Sequence, residues 1–398
     1  MTLHLLAWAA AGTEATQLHA VRFLPYVGLL AELGVEVRTI PQPAGATLEE
    51  RYALVQEALG WADCTTWWPW SFAWLCTGCS FVSMFDPDAQ QHRKNGHRVF
   101  PSDLDLRFLF SEAVARKDVG LVMDADDRWP DLPTWWAPEP FRASLPDPYR
   151  SADLLTVSTP VLEKFARRKN VNVRVIRIAV DPAAFVPTQP RPDGPTRLLW
   201  YGLPSRERDF TGTPLLRLLR WGERASYCRP AVEENRALLR TVYIGRNPAD
   251  PTAEARLAAF FDETRPVVNQ DAWARTLANA YPEILVAPLI VNPANRCKSE
   301  LHFIEGGACG AAVVAERFRG GGPYDVIRDG KDGLLASGRK GWSDAIGRLA
   351  RSAQLRADLG GRARERVIAE YDPRQRAAEM ADAYRWVAEN AGIGRGAA

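Results

Sequence analysis

Cysteine is scarce: the 398-residue chain has six, scattered at Cys64, Cys76, Cys79, Cys228, Cys297 and Cys309. That excludes a disulfide-stapled scaffold and fits a reducing compartment. Long apolar runs are missing too. Nothing approaches the roughly 20 consecutive apolar residues needed to cross a bilayer. The opening MTLHLLAWAA has neither the basic lead-in nor the length of a secretory signal. A cytoplasmic protein without a transmembrane segment is expected. Nor is there a surplus of one charge. Lys+Arg 50 against Asp+Glu 48 leaves a net charge of +2, which excludes a whole-chain electrostatic clamp for nucleic acid or membrane.

What is present is enough apolar sequence, 46%, for two ordinary cores in a chain of this length. An apolar stretch at Leu3 to Trp8 is followed by the small-residue loop AAAGTEAT. An amphipathic stretch from Gln17 to Leu33 comes next, closed by Gly34, and then the strand-like VEVRTI. Strand, loop, helix and strand in that order form a βαβ unit, which requires a parallel sheet. The alternation continues through helices at Leu48 to Leu59 and Leu104 to Arg116, the strand VGLVMD, and ADLLTVS leading into a helix from Pro160 to Lys169. VRVIRIAV closes the first half.

The Pro-rich PTQPRPDGPT marks a boundary, after which RLLWYG restarts the strand pattern. Strands are expected at Leu198 to Tyr201, Thr241 to Ile244, Ile284 to Pro288 and Ala312 to Ala315. Helices are expected at Leu215 to Glu223, Ala272 to Ala280 and Ser299 to Cys309. The predicted organisation is an N-terminal domain, residues 1–190, with an insertion over 64–102; a C-terminal domain, 191–372; and a helical tail, 373–398, returning to the first domain. Both halves are α/β, and ligands in such folds sit at the carboxyl ends of the strands.

Three stretches of the second half carry chemistry. NPANRCKSELHFIEGGACG runs a polar loop into a helix bearing Glu305, and helix N-termini favour anions. A carboxylate also accepts bidentately from a vicinal diol. LLWYGLPSRERDF ends a strand at Gly202 and puts Ser205, Arg206 and Arg208 at the entrance to the next helix. Gly320, Gly321 and Gly322 precede Pro323 and Tyr324, and successive backbone amides there would cradle a phosphate or a sugar.

These motifs together resemble the retaining GT-B glycosyltransferases of the large family 4-like group. The resemblance implies two Rossmann-like domains facing a central cleft, and transfer from a UDP, GDP, TDP or ADP sugar with retention and with no cofactor or metal required. In that group the glutamate at the position of Glu305 holds the ribose. The usual partner glutamate, eight positions earlier, is replaced by Cys297. A subgroup tied to surface polysaccharide reads Asn-x-x-Lys-Ser, then Lys, then Glu. Asn295, Lys298, Ser299 and Glu305 match it, with His302 at the second lysine position. Donor binding is therefore assigned to Gly202, Ser205, Arg206, Arg208, Asn295, Lys298, Ser299, His302, Glu305 and Gly321. Arg206 and Lys298 would neutralise the departing diphosphate.

The group also shows a strand ending in an Asp pair, as in VGLVMDADDRW, and the helix opening of SADLLTVSTPVLEKFARR at Ser158 and Thr159. Asp126 and Asp127, with Asp124, would orient an acceptor hydroxyl or move its proton. They would equally cap a helix or pair with Arg128.

Over 64–102 the spacing Cys76-x2-Cys79 and His92-x4-His97 fits a tetrahedral zinc site, against the plainer reading of two buried thiols and two surface histidines. The same segment crowds Trp67, Trp68, Trp70 and Trp74 ahead of the basic HRKNGHR, a composition that suits sugar rings or unstacked bases. A glycan or lipid-linked glycan is the expected acceptor. A hydroxylated DNA base is the alternative, and a non-catalytic nucleotide-sugar binding protein on a degenerate GT-B fold is a third reading. Oligomeric state, donor sugar and base are not written in the sequence.

Overall fold

The computed structural model describes residues 2–7, 24–39, 48–67, 118–125, 148–211, 227–246, 251–268 and 270–391. The chain divides into two compact units, residues 1–177 with 374–398, and residues 178–373.

The first unit is built on six parallel strands: β1 (Leu3–Ala7), β2 (Val35–Thr39), β3 (Cys64–Trp67), β4 (Gly120–Ala125), β5 (Leu154–Val157) and β6 (Val173–Val175). Their order across the sheet is β2-β1-β3-β4-β5-β6. Every residue of β4 and β5 is buried, as expected of parallel strands covered on both faces. The segment read as an insertion therefore opens with a strand of the sheet, since Cys64 to Thr66 pair with β1 and Cys64 to Trp67 with β4. CTTW is too short and too polar to announce itself as a strand. Residues 68–100, with Cys76, Cys79, His92 and His97, lie outside the described residues, as do Asp126 and Asp127. Among the described residues no cluster of His, Cys, Asp and Glu could hold a metal. No described helix is long and apolar enough to cross a membrane.

The first acid of the DADD run, Asp124, is buried and accepts the Thr156 hydroxyl at 2.5 Å. Thr159 opens the helix Pro160–Ala166 as the sequence suggested, its hydroxyl accepting the Leu162 amide at 3.2 Å with Pro160 at the first turn. From Arg374 onward, the helix Pro373–Glu389 belongs to this unit. Arg385 donates to the Leu33 carbonyl, and Gly120 lies so close to Val387 that a Cβ there would collide with it.

The second unit holds six more parallel strands: β7 (Thr196–Tyr201), β8 (Leu239–Arg246), β9 (Glu263–Pro266), β10 (Ile284–Ala287), β11 (Ala312–Glu316) and β12 (Leu334–Ala336). The order β12-β11-β10-β7-β8-β9 runs outward in both directions from β7 and β10. The direction of winding reverses between those two strands, and the crevice beyond their carboxyl ends is where doubly wound sheets bind ligands.

On one face of this sheet Trp200, from β7, stacks on Phe210 at 5.0 Å and on Tyr243 at 5.2 Å. Phe261 completes the cluster, and Trp200 is 2% exposed. Trp200→Ala is expected to cost about 3–5 kcal/mol in denaturant unfolding, the range for emptying a large aromatic site that cannot collapse.

Candidate functional site

The reversal point between β7 and β10 gathers most of the residues singled out in the second half. β7 ends at Tyr201, and the chain passes through Gly202 into a 3₁₀ turn, Pro204–Arg206, and the short helix Glu207–Thr211. Gly202 is held from both sides, donating its amide to the Ile244 carbonyl at 3.1 Å and accepting the Tyr243 hydroxyl at 3.0 Å. Gly245, at φ +144°, allows that approach, because a Cβ there would strike the Gly202 carbonyl.

Beyond β10 the chain turns at Asn292, whose side chain accepts the Asn295 amide at 2.7 Å and caps the single turn Pro293–Arg296. Asn295 is buried and reaches back. Its side-chain nitrogen donates to the Ile290 carbonyl at 2.8 Å and to Asp209 at 3.3 Å, and its oxygen accepts from Arg206 at 3.3 Å. Asp209 was not among the residues read from the sequence, yet it organises this edge. It accepts the Ile290 amide at 2.9 Å and pairs with Arg206 at 3.6 Å. Burial raises its pKa, while Arg206, the Ile290 amide, Lys298 and Asn295 pull it down. The carboxylate fixes the root of Arg206, whose side chain stays 44% exposed, so the guanidinium is both anchored and presented to solvent. Lys298 is half-buried, near enough to act electrostatically on both Asp209 and His302. Arg208 is exposed on the same short helix.

A helix Leu301–Ala308 follows; Ser299 lies ahead of it and the N-cap is Glu300, with no side-chain cap. The helix sits close against the sheet at Gly306 and against the helix Ala353–Glu370 at Gly307, because neither has a side chain. A Cβ at Gly306 would come within 2.6 Å of Val313, and one at Gly307 within 2.8 Å of Val367. That approach sinks Glu305 to 2% exposure.

Both of its oxygens are engaged. The Tyr201 hydroxyl donates to Oε2, and the Trp273 indole nitrogen donates to Oε1 at 2.7 Å. Desolvation pushes the Glu305 pKa up to about 7, against the lowering effect of those two donors. Burial and the neighbouring Glu305 push the Tyr201 phenol well above its ordinary value, so it remains a donor. The carboxylate expected to meet a ribose is thus filled, in this structure, by side chains of the chain itself.

His302 stacks flat on Tyr201, ring centroids 4.2 Å apart and planes within 6°. Its Nε2 donates to the Tyr201 carbonyl at 3.4 Å, and the Tyr324 hydroxyl donates to Nδ1, also at 3.4 Å. Both contacts are long and fit a neutral ring with its proton on Nε2. Burial first, then Arg206 and Lys298, pull its pKa down to about 4. His302 therefore adds no positive charge where the resemblance would have had a lysine.

The glycine loop has an organiser the sequence reading missed. Arg296 donates to the carbonyls of Arg319 at 2.8 Å and Gly321 at 2.6 Å, with its guanidinium over the Phe318 ring at 5.6 Å. Gly320 and Gly321 take φ of +83° and +105°, and the Gly322 amide donates to Asp325 at 3.0 Å. At least that amide is spent inside the loop. The signal was Arg296 itself, two residues before Lys298, passed over because a cation bonded to backbone carbonyls looks in sequence like any surface arginine.

Residues 221–382 match the model of a family described as glycosyl transferase-like. Among solved structures, the sucrose-phosphate synthase of Thermosynechococcus elongatus superposes with a TM-score of 0.61 at 16% identity, over 97% of this chain and 99% of that one. HepE of Anabaena, in complex with UDP and glucose, gives 0.60 at 12% identity over 97% and 100%. A glycosyltransferase of Rickettsia africae gives 0.59 at 10% identity over 98% and 99%. No curated protein matches in sequence. The two parallel sheets and these likenesses define the class: the fold is GT-B, two Rossmann-like domains. The family match makes residues 221–382 glycosyl transferase-like, and the solved structures share the GT-B fold.

Proposed function

We propose that the protein transfers a sugar from a nucleoside-diphosphate sugar to an acceptor hydroxyl, and that the donor lies on the carboxyl edge of the second sheet between β7 and β10. The observation that carries this reading is the anchored arginine. Asp209 and Asn295 hold Arg206 at the reversal point with its guanidinium turned to solvent, and Lys298 stands on the neighbouring loop. Two cations beside a Gly-ended strand suit a diphosphate, and they stabilise it most as it leaves with an extra charge. They also supply the neutralisation that a divalent metal would otherwise give, which supports transfer without one. HepE, the Anabaena protein of the same fold, has been seen with UDP and glucose, which makes UDP the first nucleotide to try. Retention of configuration and a glycan or lipid-linked glycan acceptor rest on the family resemblance. In this reading Asp126 and Asp127 serve the acceptor, and Gly202, Ser205, Arg208, Asn295, Ser299, His302 and Gly321 shape or support the donor pocket around Glu305.

The test is a thermal-shift screen against UDP, GDP, TDP and ADP and their sugars, where a ligand at a hundred times its dissociation constant adds about 2.7 kcal/mol. One nucleotide is expected to raise the melting temperature of the unaltered protein and not that of Glu305→Ala. An equal shift in both would remove Glu305 from the donor site. For stereochemistry, the anomeric configuration of the product read by proton NMR is expected to match that of the donor.

A further inference from the structure

Trp273 covers the carboxylate that the donor-site reading gives to a ribose. Glu305 has two neighbours donating to it, and they differ in kind. Tyr201 is part of β7, is 8% exposed, and is sandwiched against the His302 ring. Removing it would disturb the sheet. Trp273 belongs to the helix Gln270–Ala278, is half-buried, and meets Tyr201 only edge to face, at 5.0 Å and 73°. Its indole touches Oε1 at 2.7 Å, and with it in place Glu305 is 2% exposed. With both oxygens taken and Glu305 buried, an outside hydroxyl reaches the carboxylate only where a donor moves, and of the two donors Trp273 is the less enclosed.

We propose that Trp273 is a placeholder for the nucleoside. Its indole N–H satisfies the Glu305 oxygen in the empty protein and is displaced when the vicinal hydroxyls of a ribose take that oxygen. This inference rests on the donor-site reading above. Buried acceptors are costly to leave without a donor, so the empty site keeps one of its own until a better one arrives. The exchange trades one neutral N–H for two ribose hydroxyls and turns the indole out to water, where its nitrogen is again satisfied. The broken bond then weakens nucleotide binding by a constant factor, and the site binds ribose-bearing ligands in preference to anions that bring only charge. A carboxylate whose pKa burial has already raised to about 7 has electrostatic room for further donors.

The experiment compares UDP, GDP, TDP and ADP binding by calorimetry to the unaltered protein, Trp273→Phe and Glu305→Ala. It is paired with ¹⁵N-indole NMR, in which the Trp273 resonance is identified by its loss in Trp273→Phe. Phenylalanine keeps a ring but has no N–H to give up. The nucleotide that binds the unaltered protein is expected to bind Trp273→Phe about 5- to 10-fold more tightly, the equivalent of one neutral hydrogen bond. Its addition is expected to shift the Trp273 indole resonance, and pyrophosphate alone is expected to leave that resonance in place. Nucleotide binding that is equal or weaker in Trp273→Phe, or an indole resonance unmoved at saturation, overturns the placeholder while leaving the donor site standing. If none of the four nucleotides binds the unaltered protein, the donor-site reading falls and the placeholder with it.

Discussion

Arg206→Ala and Lys298→Ala are each expected to lower kcat/KM for the donor by about 10²- to 10³-fold, the loss seen when one pre-positioned group facing a developing negative charge is removed. The double variant is expected to lose less than the product of the two, because both groups address one diphosphate and act as a unit. The size follows from geometry. Arg206 is tied at 3.6 Å to Asp209 and at 3.3 Å to Asn295, so its charge is already in place when the leaving group forms. Arg206→Lys keeps the charge but gives up the planar fork, and should recover only part of the loss. Lys340→Ala, exposed on the helix Gly338–Arg351, is the control and should stay within about 2-fold, as surface substitutions away from such features do. The measurement is nucleoside-diphosphate release at subsaturating donor. If Arg206→Ala matched Lys340→Ala, the cation at the reversal point would have no part in leaving-group stabilisation.

The second large effect concerns acidity and stability. Glu305 titrates near its ordinary 4.5 when unfolded and at about 7 in the folded chain, so between those values the native state holds a proton that the unfolded state has released. Stability therefore falls as pH rises from about 4.5 to about 7, and above that range the full cost of the buried charge is borne. Each pKa unit is worth about 1.4 kcal/mol, which puts this contribution on the order of 3 kcal/mol. Glu305→Gln removes the charge and keeps the shape, and the Tyr201 hydroxyl can accept from the new amide while Trp273 donates to its oxygen. The variant is expected to unfold at a higher temperature than the natural protein at pH 8 and to lose that advantage by about pH 5, while binding nucleotide less well. A stability difference that did not change between those pH values would mean that Glu305 is not the strained acid the fold makes it. On the donor-site reading, the trade follows the general pattern in which a group buried for function is held there against stability.

How much of this was legible before any coordinates can be judged from single elements. Leu3 to Ala7, Val35 to Thr39 and Ile284 to Ala287 announced themselves because runs of Leu, Ile and Val between turn residues have few other uses. The helix around Glu305 was visible from its apolar spacing and its glycine close, although it begins at Leu301 and not at Ser299. Strand β3 escaped, because in CTTW two threonines and a buried thiol give neither an alternating nor a continuous apolar signal. Its place in the sheet is fixed only by the strands on either side. Glu263–Pro266 was missed for the same reason, since ETRP is short and polar.

At the site, residue types were readable and partnerships were not. Arg206, Asn295, Lys298 and Glu305 were each named from motif and spacing. Asp209, Arg296, Tyr201 and Trp273 were not, although each contacts a named residue or the loop beside it. The sequence by itself determined the α/β alternation, the motifs of the second half and the presence of a basic loop beside a glutamate-bearing helix, because these are properties of neighbours along the chain. Only the tertiary structure decided that His302 is an uncharged ring stacked on Tyr201, that Asp209 anchors Arg206, and that Glu305 is closed by an indole. Charge state and hydrogen-bond occupancy depend on burial and on groups as far apart as residues 201, 273 and 305. No local pattern records which of them the sheet will bring together.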